Sequence, residues 1–157
     1  MKKYKFFWHG IFSNWHESPF HISGRKFNCG EQYMMYAKAS VFLDYDTTKK
    51  ILKTKNPKEQ KKLGRQVKNY DERVWASRRY ELVKRGLRQK FLQNPELKEE
   101  LLKFHGYEMV EASPYDRIWG IGYKESDALD NIDKWGENLL GKMLTELSNE
   151  IKQIKTR

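Results

Sequence analysis

The sequence predicts a helix-dominated α+β fold, a single domain over residues 1–157 with a few short strands. Three observations predict it. Apolar residues recur at helical spacing over long segments, most clearly at Leu140, Met143, Leu144, Leu147, Ile151 and Ile154. The runs rich in aromatic and β-branched residues have only strand length: "YKFFW" (4–8), "PFHIS" (19–23) and "YEMVEA" (107–112). The 157 residues suffice for one hydrophobic core, and no internal repeat or stretch rich in Gly, Pro or Ser divides them.

Taken in order, "YKFFW" and "PFHIS" are strands joined by a loop carrying "FSNWHES". Gly24 marks a turn from which "RKFN" pairs back as a hairpin. A helix follows over about Gly30–Leu43. Asn56 is an N-cap and Pro57 a first helical residue, opening a helix through "PKEQKKLGRQVK". Asp71 caps a long helix, "ERVWASRRYELVKRGLRQKFLQ", with Trp75, Leu82, Leu87 and Phe91 as its core stripe. Asn94 and Pro95 repeat the cap signal before "ELKEELLKF", which Gly106 closes. After the strand in "YEMVEA" comes a loop, "SPYDRIWGIG". The last helix runs from about Asn138 to Lys155.

Composition excludes several classes. A formal net charge of +10 favours anionic partners: phosphate, nucleotide, nucleic acid or an anionic membrane surface. The single cysteine, Cys29, rules out an internal disulfide and fits a reducing compartment, where it is expected to be a buried structural thiol. No apolar run approaches the ~20 residues of a membrane span, and the apolar stretch in "MKKYKFFWHG" is too short for a signal peptide. The expectation is a cytoplasmic protein that makes no use of a membrane. His9, His16, His21 and His105 lack zinc-site spacing with Cys29. There is no phosphate-binding Walker loop, no dinucleotide fingerprint and no nucleophile elbow. Neither a metal nor a cofactor is expected.

The first helix carries the anomaly. Met34, Met35, Val41, Phe42 and Tyr45 share one helical face, yet Glu31 and Lys38 stand in the same stripe. A buried charge must be paired, shifted in pKa or open to a cavity. Seven positions place the two ~10 Å apart along the axis, too far for one direct pair and far enough for a small ligand to lie against both. The pattern equally allows Glu31 to serve the helix start and Lys38 to reach water by its long stem. In "SPYDRIWGIG", Asp116 follows a strand end, Trp119 offers a stacking face, and Gly120 and Gly122 allow close backbone approach; an ordinary turn with a core Trp has the same look. Asn14 and Trp15 in "FSNW" supply an amide and an aromatic platform. Asn138 is either an N-cap or a site residue beside free helix N–H groups. Arg73, Arg78, Arg79, Lys84, Arg85, Arg88 and Lys90 are spread round the long helix, so most are expected to face water.

"FSNW", "PF", "EQYMMYAKA", "LGR.V", "QN..L...LL", "EASPYDRIWG" and "WGENLLG" occur in the order found in the NADAR, or YbiA-like, family, and the chain resembles that family from about residue 6 to 147. The resemblance implies a mostly helical α+β fold and an N-glycosidase that cleaves between ribose C1′ and a base or amine nitrogen. It implies two substrate classes: ADP-ribose on guanine, in DNA or nucleotides, and phosphorylated ribosylamino-pyrimidine intermediates of riboflavin synthesis. Family polar positions fall at Glu31, Lys38, Asp116 and Asn138, with Trp119 beside them and with Arg65 and Trp75 also matching. On that resemblance Glu31 and Asp116 share the carboxylate roles. Lys38 is a cationic anchor or a Schiff-base nucleophile. Asn14, Trp15, Arg65, Trp75, Trp119, Gly120 and Asn138 bind substrate. The alternative is a non-catalytic module binding ADP-ribose-like ligands or nucleic acid.

Overall fold

The computed structural model describes residues 1–156; Arg157, the last position of the expected domain, lies outside the described residues. The elements are β1 (Tyr4–Phe7), β2 (Phe20–Ile22), β3 (Arg25–Phe27), α1 (Gly30–Val41), α2 (Tyr45–Lys53), α3 (Pro57–Gly64), α4 (Glu72–Gln93), α5 (Pro95–Lys103), β4 (Glu108–Glu111), α6 (Glu125–Ala128), a 3-10 turn (Leu129–Lys134) and α7 (Leu139–Thr156). Helices dominate, as expected. The chain forms two compact units: Asn14–Asn94, and the segments Met1–Ser13 and Pro95 onward.

In the unit Asn14–Asn94, β2 and β3 form the expected antiparallel hairpin, with Phe20 opposite Phe27. The helix α1 packs against α2, α3 and α4. It lies tight against α4 at Gly86, where an added Cβ would lie 2.1 Å from Cδ1 of Tyr33. A glycine in a helix interior costs about 1 kcal/mol of propensity, which the close packing offsets. The Tyr33 ring cannot easily retreat, because it lies edge-on to Phe27 at 5.2 Å. Gly86→Ala is therefore expected to destabilise the fold by about 2 kcal/mol despite the better helix former, read as a lowered urea midpoint.

Caps placed α3 and α4 where the sequence predicts them. Asn56 accepts from the Lys58 amide at 2.9 Å, and Asp71 accepts from the amides of Arg73 and Val74, each cap contributing about 1 kcal/mol. Two expectations need correction. The helix α3 stops at Gly64, and the chain then turns so that the Lys68 amide donates to Asp44 at 2.9 Å. The helix α2 was not foreseen: Asp44 caps it by accepting from Thr47 N and Oγ1, and its buried side is Thr47, Thr48 and Ile51. Tyr45 is thus not the end of the α1 stripe but the exposed first residue of α2, after a chain reversal at Leu43 with φ 57°.

Along α4, Trp75, Leu87 and Phe91 are buried and Leu82 is half-buried. Its charges depart from expectation. Arg73, Arg78 and Arg85 face water, but Arg79, Lys84 and Lys90 are buried, Lys90 completely. Burial pulls the Lys90 amine down to about 8 from the ordinary 10.5. Between those values the unfolded chain holds a proton that the folded chain has lost, so stability rises with pH across that window, by on the order of 3 kcal/mol in all. Lys90→Met should flatten that rise in denaturant melts taken between pH 7.5 and about 10.

In the other unit, β1 pairs with β4 in parallel, Tyr4 opposite Glu108 and Phe7 opposite Glu111. Val110, Ala112, Ile121 and Ala128 form a core cluster with Tyr4, Phe6, Tyr123 and Trp135 packed on it. The helix α7 packs on β4 and α5 through Leu140, Met143, Leu144, Leu147 and Ile151. Ile154 does not extend this face; it is exposed, one turn beyond the last packed residue.

Candidate active site

Glu31 lies in the first turn of α1 and is buried, 4% exposed. Cys29, at the N-cap, gives α1 no side-chain hydrogen bond; its thiol instead donates to Gln60 at 3.2 Å, and burial raises its pKa to about 11. It is the inert structural thiol expected. The first-turn amide of Glu31 is satisfied by the backbone carbonyl of Asn14 at 2.9 Å. The "FSNW" loop is therefore tied to the start of α1, and Gly30 permits it: a Cβ there would lie 2.6 Å from Asn14 Oδ1. Asn14 is buried, and its Oδ1 accepts no hydrogen bond among the described residues. Trp15, next to it, is 45% exposed.

Lys38 lies two turns on, on the same face of α1. It is half-buried, and its Nζ stands 4.5 Å over the ring of Tyr70. Burial holds its pKa below the ordinary lysine value; the carboxylates of Glu72 and Glu31 push it back up, and Arg65 adds to the lowering. Lys38 thus does not simply reach water by its stem: it is half-buried, with its amine over an aromatic ring. Arg65 is exposed, just past the end of α3. Trp75 is 4% exposed and offers little ring face to a ligand.

Two residues near Lys38, Tyr70 and Glu72, are not among the sequence candidates, and Arg79, named only among the charges spread round the long helix, joins them. The Tyr70 hydroxyl donates to Glu72 Oε2, and Arg79 Nη1 donates to Glu72 Oε1 at 3.1 Å. Burial and the Glu72 charge raise the Tyr70 hydroxyl to about 12, while the Tyr70 and Arg79 hydrogen bonds hold the Glu72 carboxyl below its usual range. A signal was present. Glu72, Trp75 and Arg79 fall at i, i+3 and i+7, so Arg79 interrupts the stripe of Trp75 as Lys38 interrupts that of Met34.

The remaining candidates lie in the other unit. Asp116 is half-buried; its Oδ1 accepts from the amides of Ile118 and Trp119, both at 2.9 Å, and shapes the loop as an Asx turn. Trp119 is half-buried. Gly120 packs its backbone on β4, where a Cβ would meet the Glu111 carbonyl at 2.8 Å. Asn138, at φ 52°, is buried: Oδ1 accepts from the Glu111 amide and Nδ2 donates to the Met109 carbonyl, both at 3.0 Å. At the start of α7 the amides of Leu139 and Leu140 are not open to a ligand, because they donate to the carbonyls of Ile118 and Trp119. A hollow of about 680 Å³ in this unit, open to solvent, is lined by Lys3, Tyr107, Lys142 and neighbours and holds none of the candidates.

Comparison with known proteins assigns the class. The NADAR domain model matches residues 5–152, across both units, and the chain belongs to the NADAR family. It is 41% identical over 151 residues to N-glycosidase R617 of Acanthamoeba polyphaga mimivirus, covering 91% of this chain and 88% of that protein. It is 28% identical over 145 residues to the riboflavin biosynthesis protein VVA0006 of Vibrio vulnificus, covering 92% of this chain but 36% of the longer relative. The NMR structure of the E. coli protein YbiA matches with a TM-score of 0.81 and 26% identity, over 100% of this chain and 90% of that one.

Proposed function

We propose that the protein is an N-glycosidase that hydrolyses the C1′–N bond of a phosphorylated ribosyl substrate, with Lys38 as nucleophile and Glu31 stabilising the positive charge that develops at C1′. One observation carries the reading: a half-buried amine of lowered pKa shares a helical face with a buried carboxylate. Kinship to a protein named as an N-glycosidase supports it.

The steps balance without an oxidant or metal. The neutral Lys38 amine adds to C1′ as the bond to the base breaks, and that electron pair departs with the base nitrogen, which is protonated by an acid. The lysine nitrogen gives up a proton to O4′ as its lone pair expels that oxygen as a hydroxyl, and a Schiff base forms at C1′. Water then adds to C1′ and the amine leaves, so substrate and water become free sugar and free base. A carboxylate beside C1′ acts as in the glycosidases that use paired carboxylates. Asp116 enters as the second carboxylate on the family motif alone, and Asp116→Asn tests it. Asn14 contributes a buried acceptor for a sugar hydroxyl. Trp15 contributes a stacking face and Arg65 a phosphate contact; Trp119, like Asp116, enters on the family motif alone.

Of the two substrate classes, one observation favours ADP-ribose on guanine in nucleic acid over a small riboflavin intermediate. The outward sides of α2 and α3 carry Lys49, Lys53, Lys58 and Lys62, and Arg65 follows α3, all exposed, a field suited to flanking phosphates. Mass spectrometry of released base from ADP-ribosyl-guanosine, guanine-ADP-ribosylated DNA and the two pyrimidine ribosylamines tests both points. Release of guanine from modified DNA, with affinity falling steeply as salt rises, is expected. Release from the pyrimidines alone would reverse the substrate order. Tight binding with no base released from any of the four would replace the enzyme with a binding module.

A further inference from the structure

We propose that Glu72 is a positioning residue for Lys38: clamped by the Tyr70 hydroxyl on one oxygen and by Arg79 on the other, it is a fixed anion that keeps the Lys38 amine over the Tyr70 ring. This rests on the reading of Lys38 as nucleophile, but its geometry stands apart from that reading.

Glu72 is the first residue of α4, just past the capping Asp71, so its backbone is set by the helix start. Its side chain is 59% exposed, and an exposed carboxylate on an ordinary surface samples many rotamers. Here both oxygens are held, Oε2 by Tyr70 and Oε1 by Arg79, whose own side chain is 9% exposed and therefore anchored in the unit's interior. The clamp fixes Tyr70 as well. Its ring is held at one end by the hydroxyl bond and packs at 5.4 Å against Phe42, which follows α1. The amine of Lys38 lies over the face of that same ring, where the quadrupole attracts a cation. Lys38 is thus addressed from three directions: by Glu31 on its own helix, by Arg65 after α3, and by the Tyr70–Glu72–Arg79 group before and within α4. Glu31 and Glu72 favour the protonated amine, and Arg65 and burial favour the neutral one.

A purely structural clamp and a positioning clamp make different predictions. A structural one affects melting; a positioning one also alters the proton affinity and placement of the Lys38 amine. Removing the Glu72 charge removes an attraction for the ammonium, so the amine should give up its proton at lower pH. Freed from a fixed neighbour, it should also visit the attacking geometry less often, with the loss in kcat and not in KM.

The test uses the full chain and the variants Glu72→Gln and Tyr70→Phe. The lysines are reductively methylated with ¹³C-formaldehyde, and the Lys38 signal is identified by its absence in Lys38→Arg. Its titration is then followed without substrate. Glu72→Gln should move the Lys38 midpoint to lower pH, and Tyr70→Phe should move it the same way by less, since the ring remains and only the clamp loosens. In base release, Glu72→Gln should lower kcat about tenfold with little change in KM. A Lys38 midpoint in Glu72→Gln that coincides with the wild type, in a protein that melts normally, overturns the proposal; so does a moved midpoint with kcat unchanged. If no substrate releases base at all, the N-glycosidase reading fails and the substrate-free titration alone decides the clamp.

Discussion

Glu31→Gln is expected to lower base release about a thousandfold or more while the protein stays folded. The substitution keeps the volume and shape of a side chain that is only 4% exposed, so no cavity opens and no bulk is added. The backbone bond from the residue 31 amide to the Asn14 carbonyl does not depend on the side chain. What is lost is one negative charge, and a buried site with little water makes that charge worth most when C1′ becomes cationic. The loss should appear in kcat, with substrate affinity changed by less than about tenfold, because the ground-state sugar is uncharged at that carbon. The measurement is released base by mass spectrometry beside a thermal melt. Activity within about tenfold of wild type, in a folded variant, would remove Glu31 from the chemistry.

The fold was legible wherever local signals were strong. Asp71, Asn56 and Pro57 place the starts of α4 and α3 because a cap is a local hydrogen bond, readable from a few adjacent residues. The Gly24 turn gives the hairpin for the same reason. The helix α2 was not legible because its buried face is two threonines and one isoleucine, a stripe too polar to be seen as periodic, and because Leu43 ends α1 with a positive φ that sequence does not advertise. Ile154 misled in the opposite sense: the pattern continues one turn beyond the surface that it packs against.

The candidate site divides along the same line. The anomaly at Glu31 and Lys38 was legible because two charges interrupt an apolar stripe on one helix. Of the Tyr70–Glu72–Arg79 group only Arg79 left a trace, as a charge in the Trp75 stripe; Tyr70 was not legible, because it meets Lys38 from the turn between α3 and α4, a contact between elements that no periodicity encodes. Asn138 shows the limit of a motif. The residue type fits a ligand contact, but both its amide atoms bind the β4 backbone, so its first effect is to hold the "SPYDRIWG" loop and the start of α7 in register.

Lys38→Arg separates the two chemical roles open to the amine. The guanidinium keeps the positive charge and can lie over the Tyr70 ring as the ammonium does. It can still attract a phosphate or a sugar hydroxyl. It cannot lose its proton at any working pH, so it cannot attack C1′ or form a Schiff base. If Lys38 is the nucleophile, the variant should lose about a thousandfold or more in kcat. Borohydride added during turnover should leave a reduced sugar adduct on the Lys38 peptide of the wild type and none on the variant. The wild-type rate should also rise with pH as the amine, already biased toward its neutral form by burial, loses its proton, and that limb should vanish in the variant. If Lys38 is only an anchor, arginine should serve nearly as well: activity should stay within about tenfold, no adduct should form on either protein, and the pH limb should survive. An adduct trapped on the wild type together with full activity in the arginine variant would mean that the Schiff base lies off the reaction path, and Glu31 would then have to act on an attacking water instead.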